Sequence, residues 1–128
     1  MRRVLACAFA ASIAVASLSV PAFAHPRIVS AQPAQGTSAS NVTQISISFS
    51  EPLVAALSGI DVMMTGMPGM ASHQPMKITG VKTSVAPDGV TLVAKLSRPL
   101  PAGSYAAAWH AVATDTHRVG GMLTFTVK

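Results

Sequence analysis

An antiparallel β-sandwich of about seven short strands is the fold this sequence predicts. Three observations point to it. Short apolar–polar alternations recur along residues 25–128, and clusters of Gly, Pro, Asn and Asp separate them. No stretch carries the 3.6-residue apolar period of a stable helix.

The first strand expected is Ile28–Ala31, ended by the turn residues Gln32-Pro33-Ala34-Gln35-Gly36. Val42 to Phe49 alternates Ile45, Ile47 and Phe49 with Gln44, Ser46 and Ser48, the pattern of a half-buried strand. Leu53–Leu57 reads as one short helical turn or a loop. Gly59–Thr65 and Met76–Val85 follow as strands, and Pro87-Asp88-Gly89 turns the chain into Val90–Leu96. A Pro- and Gly-rich connection, Arg98 to Gly103, leads to the strand Gly103–Ala113. There Tyr105, Ala107, Trp109 and Ala111 share one face, which places Trp109 in the core and His110 on the opposite side. Gly120-Gly121 reads as a turn before the last strand, Met122–Val127. No internal repeat is visible.

Residues 1–24 read as a cleaved secretory signal: basic Arg2 and Arg3, an apolar Val4–Val20, and small residues around Ala22-Phe23-Ala24. Cys7, the only cysteine, leaves with it, so the processed chain has neither disulfide nor thiolate. What remains, 25–128, is long enough for one core and one domain. Without Arg2 and Arg3, seven basic residues face four acidic ones, a net charge of +3. The basic residues are scattered along the chain without a run or interleaved aromatics, which argues against nucleic acid as a partner.

Met64, Met67, Met70, His73 and Met76 fall on a three-residue beat. A helix would spread them around its axis, and Gly66, Pro68, Gly69 and Pro75 oppose a helix in any case. An extended polyproline-like loop, with about three residues per turn, would turn all five side chains to one side. Thioethers with one imidazole are the donors that Cu(I) prefers. Methionine is also a core filler, but here it stands among Gly, Pro, Ser and Thr rather than branched aliphatics.

Cleavage after Ala24 makes His25 the first residue, offering an amine and an imidazole. Pro26 has no N–H, so the next amide cannot join as a donor. Asp115 and His117, two residues apart, would project from one side of an extended segment. The competing reading of Asp115-Thr116-His117 is an Asx-type turn with His117 merely exposed. Together with His25 these residues make a nitrogen and oxygen set suited to Cu(II). Glu51 stands as a nearby carboxylate or a solvated strand end, His110 as an extra ligand or an exposed strand histidine, and Met122 as a packing residue.

These residues together resemble the CopC/PcoC family of periplasmic copper-resistance proteins. The resemblance rests on His25-Pro26, Phe49-Ser50-Glu51, Met64 to Met70, Ser72 to Met76, Pro99 to Tyr105, Trp109, Asp115-Thr116-His117 and Thr124 to Lys128, and so covers essentially all of 25–128. It implies a Greek-key β-barrel or sandwich, cupredoxin-like or immunoglobulin-like, with a copper site at each end. It carries the Cu(II) role onto His25, Asp115 and His117, with Glu51 close by, and the Cu(I) role onto Met64, Met67, Met70, His73 and Met76. It implies a carrier without turnover, working with a CopD-like inner-membrane copper protein and a multicopper oxidase, as a monomer or a copper-bridged dimer. His110 departs from the family, which has arginine after the tryptophan, and Met63 is an additional soft donor.

The reading is therefore an exported periplasmic copper-binding protein, with a hard-donor and a soft-donor site. The alternative is a copper-dependent oxidative enzyme built on the N-terminal histidine. Such enzymes need a broad substrate face with exposed aromatics, and 25–128 has only Trp109, Tyr105, Phe49 and Phe125.

Overall fold

A computed structural model describes residues 25–128; the expected signal segment and Cys7 lie outside the described residues. Nine strands run in chain order: β1 (Ile28–Gln32), β2 (Ser38–Ala39), β3 (Gln44–Phe49), β4 (Gly59–Gly66), β5 (Met76–Lys77), β6 (Lys82–Val85), β7 (Thr91–Lys95), β8 (Gly103–Val112) and β9 (Arg118–Val127). They form a four-stranded sheet, β1-β3-β7-β6, and a five-stranded sheet, β2-β9-β8-β4-β5. The two sheets are separate, so the architecture is a sandwich rather than a closed barrel. Leu53–Leu57 resolves into one 3₁₀ turn, Ala55–Leu57.

Alternation builds the core. Ile45, Ile47 and Phe49 of β3, Leu92 and Ala94 of β7, and Val62 of β4 turn inward with Tyr105, Ala107, Ala111, Leu123 and Phe125. Each large aliphatic buried this way contributes about 1.5–3 kcal/mol relative to exposure. Tyr105 stacks on Phe125 at 5.7 Å and donates its hydroxyl to the Pro101 carbonyl at 2.6 Å, which spares it an unpaired buried O–H. Trp109 meets Phe49 edge-on at 5.1 Å, tying the five-stranded sheet to the four-stranded one.

Four expectations need correction. Met76–Val85 is not one strand: Met76–Lys77 pairs with β4 in one sheet, and Lys82–Val85 pairs with β7 in the other. β2 is too short to show an alternation, and it pairs parallel with β9, an exception in an otherwise antiparallel fold. Gly120-Gly121 is not a turn but lies inside β9, opposite His110 and Trp109. A Cβ on Gly121 would stand 2.7 Å from Trp109 Cζ2, so the indole lies across the strand where a side chain would be. Met122 does not pack; it is exposed on the outer face of β9, opposite Ala108.

Candidate metal sites at the two ends of the sandwich

The start of β1, the chain after β3 and the β8–β9 turn meet at one end. Arg27 and Ser50 exchange bonds, the Arg27 N–H donating to Ser50 Oγ at 3.0 Å and the Ser50 N–H to the Arg27 carbonyl at 2.8 Å. With Pro26 buried, this anchors the chain just after His25 to the segment that follows β3. The Thr114 N–H reaches the Pro52 carbonyl at 3.1 Å, and Leu53 pairs with Ala113, which sets the β8–β9 turn on the other side of the same segment.

Asp115-Thr116-His117 is not extended. The Thr116 N–H bonds the Ala113 carbonyl at 2.8 Å, and Thr116 takes φ +74°, a left-handed conformation unusual for a β-branched residue. Asp115 accepts the His117 N–H on Oδ1 at 3.1 Å, an Asx turn, and also holds His117 Nδ1 on Oδ2 at 3.0 Å. The Asx turn therefore fixes the imidazole instead of leaving it loose. Nδ1–H donation to a carboxylate leaves Nε2 as the free lone pair. The His117 side chain and then its backbone N–H, followed by the charges of His117 and His25, hold the Asp115 carboxyl below its ordinary pKa.

His25 faces His117 with ring centroids 4.9 Å apart and planes at 65°. Among the described residues, no three His, Cys, Asp or Glu side chains are drawn together tightly enough to hold a metal ion. Asp115 and His117 are in direct contact at 3.0 Å, and the His25 ring meets this pair at the His117 ring. In the full-length chain, moreover, the nitrogen of His25 is still a peptide nitrogen joined to Ala24. His110 lies on the outer face of the five-stranded sheet between Gly59 and Gly120, its ring over Gly59.

The sulfur-bearing segment occupies the opposite end, and it is a hairpin extension rather than a polyproline-like loop. Met67 and Met70 exchange both backbone bonds at 2.9 Å around Pro68-Gly69, with Gly69 at φ +82°, the sequence and conformation of a type II turn. Gly66 is required beneath it, because a Cβ there would collide with the Ala71 carbonyl. Met67 and Met70 are 38% and 52% exposed as residues, and Met76, on β5, is 49% exposed.

Met64 stands apart from these three. It continues the inward alternation of β4 after Ile60 and Val62 and belongs to the core at 8% exposure. The strand period of two overrides the apparent beat of three. Met63 points to the outer face beside Lys77, away from the loop.

His73 carries the clearest chemical signal. Its N–H anchors it to the Thr65 carbonyl at 2.9 Å, and its Nδ1 bonds the Gln74 carbonyl at 2.7 Å. Nδ1 must then be the protonated nitrogen, because a carbonyl oxygen only accepts. Nε2 is buried, carries the lone pair and has no hydrogen-bond partner. A buried acceptor left bare costs about 1–3 kcal/mol, which makes this nitrogen the candidate donor of the segment. No feature of the sequence predicts that orphaned nitrogen; it appears only once the segment folds.

A β-sandwich with two histidines and an aspartate at one end, and exposed methionines and a further histidine in the segment at the other, has the outline of a small metal-binding domain. The chain belongs to the CopC family: the family model described as CopC domain matches residues 28–128. It is 42% identical over 120 residues to copper resistance protein C of Pseudomonas syringae pv. tomato, covering 94% of this chain and 91% of that protein. It is 40% identical over 114 residues to copper resistance protein C of Escherichia coli, covering 89% of this chain and 90% of that one. The crystal structure of PcoC, a methionine-rich copper resistance protein from Escherichia coli, superimposes with a TM-score of 0.74 at 38% identity. That match covers 82% of this chain and 100% of the other. Among the described residues no helix is long and apolar enough to cross a membrane.

Proposed function

We propose that this protein is an exported copper-binding carrier of copper resistance, active in the periplasm without turnover. The observation that carries the reading is His73 Nε2, a buried lone pair with no partner in a segment that presents three exposed methionines. Copper is the cargo. Met67, Met70, Met76 and His73 bind it as Cu(I), since sulfur and imidazole are soft and borderline donors. Met64 supports that loop from the core. His25, through imidazole and, after signal cleavage, through its amine, binds Cu(II) with His117 Nε2. Asp115 holds the His117 ring in the tautomer that leaves Nε2 free, and joins as an oxygen ligand when that hydrogen bond is released. Glu51 stands beside them as a carboxylate that offsets the charge of the ion. The partners that fit a carrier are a CopD-like membrane copper protein and a multicopper oxidase.

Competition with a Cu(I) chelator tests this reading. His73→Ala is expected to weaken Cu(I) binding by about ten-fold or more, and Met67, Met70 and Met76 changed together to Leu should abolish it. Cu(II) binding should be untouched in both variants. Unaltered Cu(I) affinity in the triple leucine variant contradicts the assignment.

A further inference from the structure

Of the seven basic residues in 25–128, Arg27 and Arg118 lie at the imidazole end and the other five gather at the opposite one. Residues 77–82 run alongside residues 95–98: Lys82 pairs directly across from Lys95, and a Cβ on Gly80 would touch Ser97 Oγ at 2.7 Å. Lys77, Lys82, Lys95 and Arg98 are all exposed on these two stretches, and Lys128 ends β9 at the same end of the sandwich. Asp61, in its ion pair with Lys77 at 3.2 Å, is the single carboxylate side chain among them. Among the described residues no carboxylate pairs with Lys82, Lys95 or Arg98. The other three acidic residues, Glu51, Asp88 and Asp115, lie at the imidazole end, where the Leu53 N–H bonds the Gly89 carbonyl at 2.8 Å. The molecule is therefore basic at its sulfur end.

Two features indicate that this end is for docking. Like charges directly opposite on neighbouring strands are destabilising, so the Lys82–Lys95 pair works against the fold that carries it. Just after Met76 in the chain, a cavity of about 230 Å³ opens between Lys77-Ile78-Thr79 and Leu96 to Pro101, with Lys77 and Arg98 among its lining residues. A concave pocket flanked by two cations fits a protruding carboxylate better than a flat lipid surface, and no aromatic side chain lines it for insertion into a bilayer.

Building on the copper reading above, we propose that the basic sulfur end docks an acidic partner protein, which exchanges Cu(I) with the methionine hairpin. Its carboxylates meet Lys77, Lys82, Lys95 and Arg98, and one enters the cavity. Opposite charge raises encounter rates by about 10–10³-fold, and salt removes that gain.

The test is stopped-flow Cu(I) transfer to the processed chain from two donors of opposite charge, the anionic bis(bathocuproine disulfonate) complex and the cationic bis(neocuproine) complex. Transfer from the anionic donor is expected to slow with added salt, and transfer from the cationic donor to quicken. The triple variant K82E/K95E/R98E should lose about ten-fold in rate with the anionic donor while its equilibrium Cu(I) affinity stays unchanged. The neutral variant K82Q/K95Q/R98Q should fall in between, and its thermal unfolding checks that the fold is intact. Normal affinity with rates blind to charge overturns the docking proposal alone. A wild-type chain with no Cu(I) affinity overturns the copper reading, and the docking proposal with it. Co-sedimentation with phosphatidylglycerol vesicles that charge reversal abolishes, with chelate rates unchanged, gives the face to a membrane and also overturns the proposal.

Discussion

Two histidines in this chain have their tautomers chosen for them, by different acceptors and with different consequences. Asp115 Oδ2 holds Nδ1 of His117, an exposed ring, whereas the Gln74 carbonyl holds Nδ1 of His73 and buries the other nitrogen. Substituting Asp115 by Asn should therefore weaken Cu(II) binding by about 10–100-fold through loss of charge and ring orientation, while Cu(I) binding stays put; isothermal titration of each ion reads both. Met64 gives the complementary residue-scale prediction. Met64→Leu preserves volume and should leave Cu(I) affinity within about two-fold and stability within about 1.5 kcal/mol, whereas Met64→Ala should cost about 2–5 kcal/mol in denaturant unfolding. A large loss of Cu(I) affinity in the leucine variant would return Met64 to the ligand set. The spacing of the methionines was legible in the sequence, but spacing alone does not separate an inward strand position from a hairpin position. That distinction belongs to β4, whose alternation continues through Met64 and Gly66.

At the scale of elements, turns and close approaches matter more than propensity. Most strands were legible because Ile45, Ile47 and Phe49 or Tyr105, Ala107 and Ala111 alternate with residues that face outward. Gly120 and Gly121 were not, because glycine in a strand looks like a turn until the Trp109 indole is laid across it. Gly121→Ala should destabilise the fold by about 1–3 kcal/mol, since the added methyl meets the ring and the strand is held in register opposite Trp109 of β8. An unfolding midpoint equal to that of the parent chain contradicts this account. The β6–β7 turn carries its own pH dependence. Asp88 accepts from the Thr91 hydroxyl at 2.6 Å and from the N–H groups of Val90 and Thr91 at 2.9 and 3.0 Å, which lowers its pKa from the usual 3.8. A depressed carboxylate adds stability at pH values above its unfolded pKa and loses it as pH falls through the folded one. The turn should thus hold at neutral pH and loosen only below about pH 4, and in Asp88→Ala that acid-side loss should be diminished in thermal scans.

The whole molecule separates its two donor sets by the length of a strand. β8 leads from Ser104, opposite Gly66 beneath the sulfur hairpin, to Val112 beside the β8–β9 turn. At about 3.3 Å per residue that is roughly 26 Å, about three Debye lengths at physiological salt. Loading one end should accordingly leave the affinity of the other within about two-fold, and either ion should raise the unfolding temperature because it binds only the native state. The sandwich was legible from alternation and turns, and the two candidate donor sets were proposed from residue type. The basic face around the sulfur end was not, since Lys77, Lys82, Lys95 and Arg98 come together only when β6 and β7 pair. The account rests on the two ends taking the same element in different oxidation states. X-ray absorption on the processed chain, loaded with one equivalent of copper and then reduced with ascorbate, tests this directly. Nitrogen and oxygen scattering should give way to sulfur scattering on reduction; a first coordination shell that stays the same in both states contradicts it.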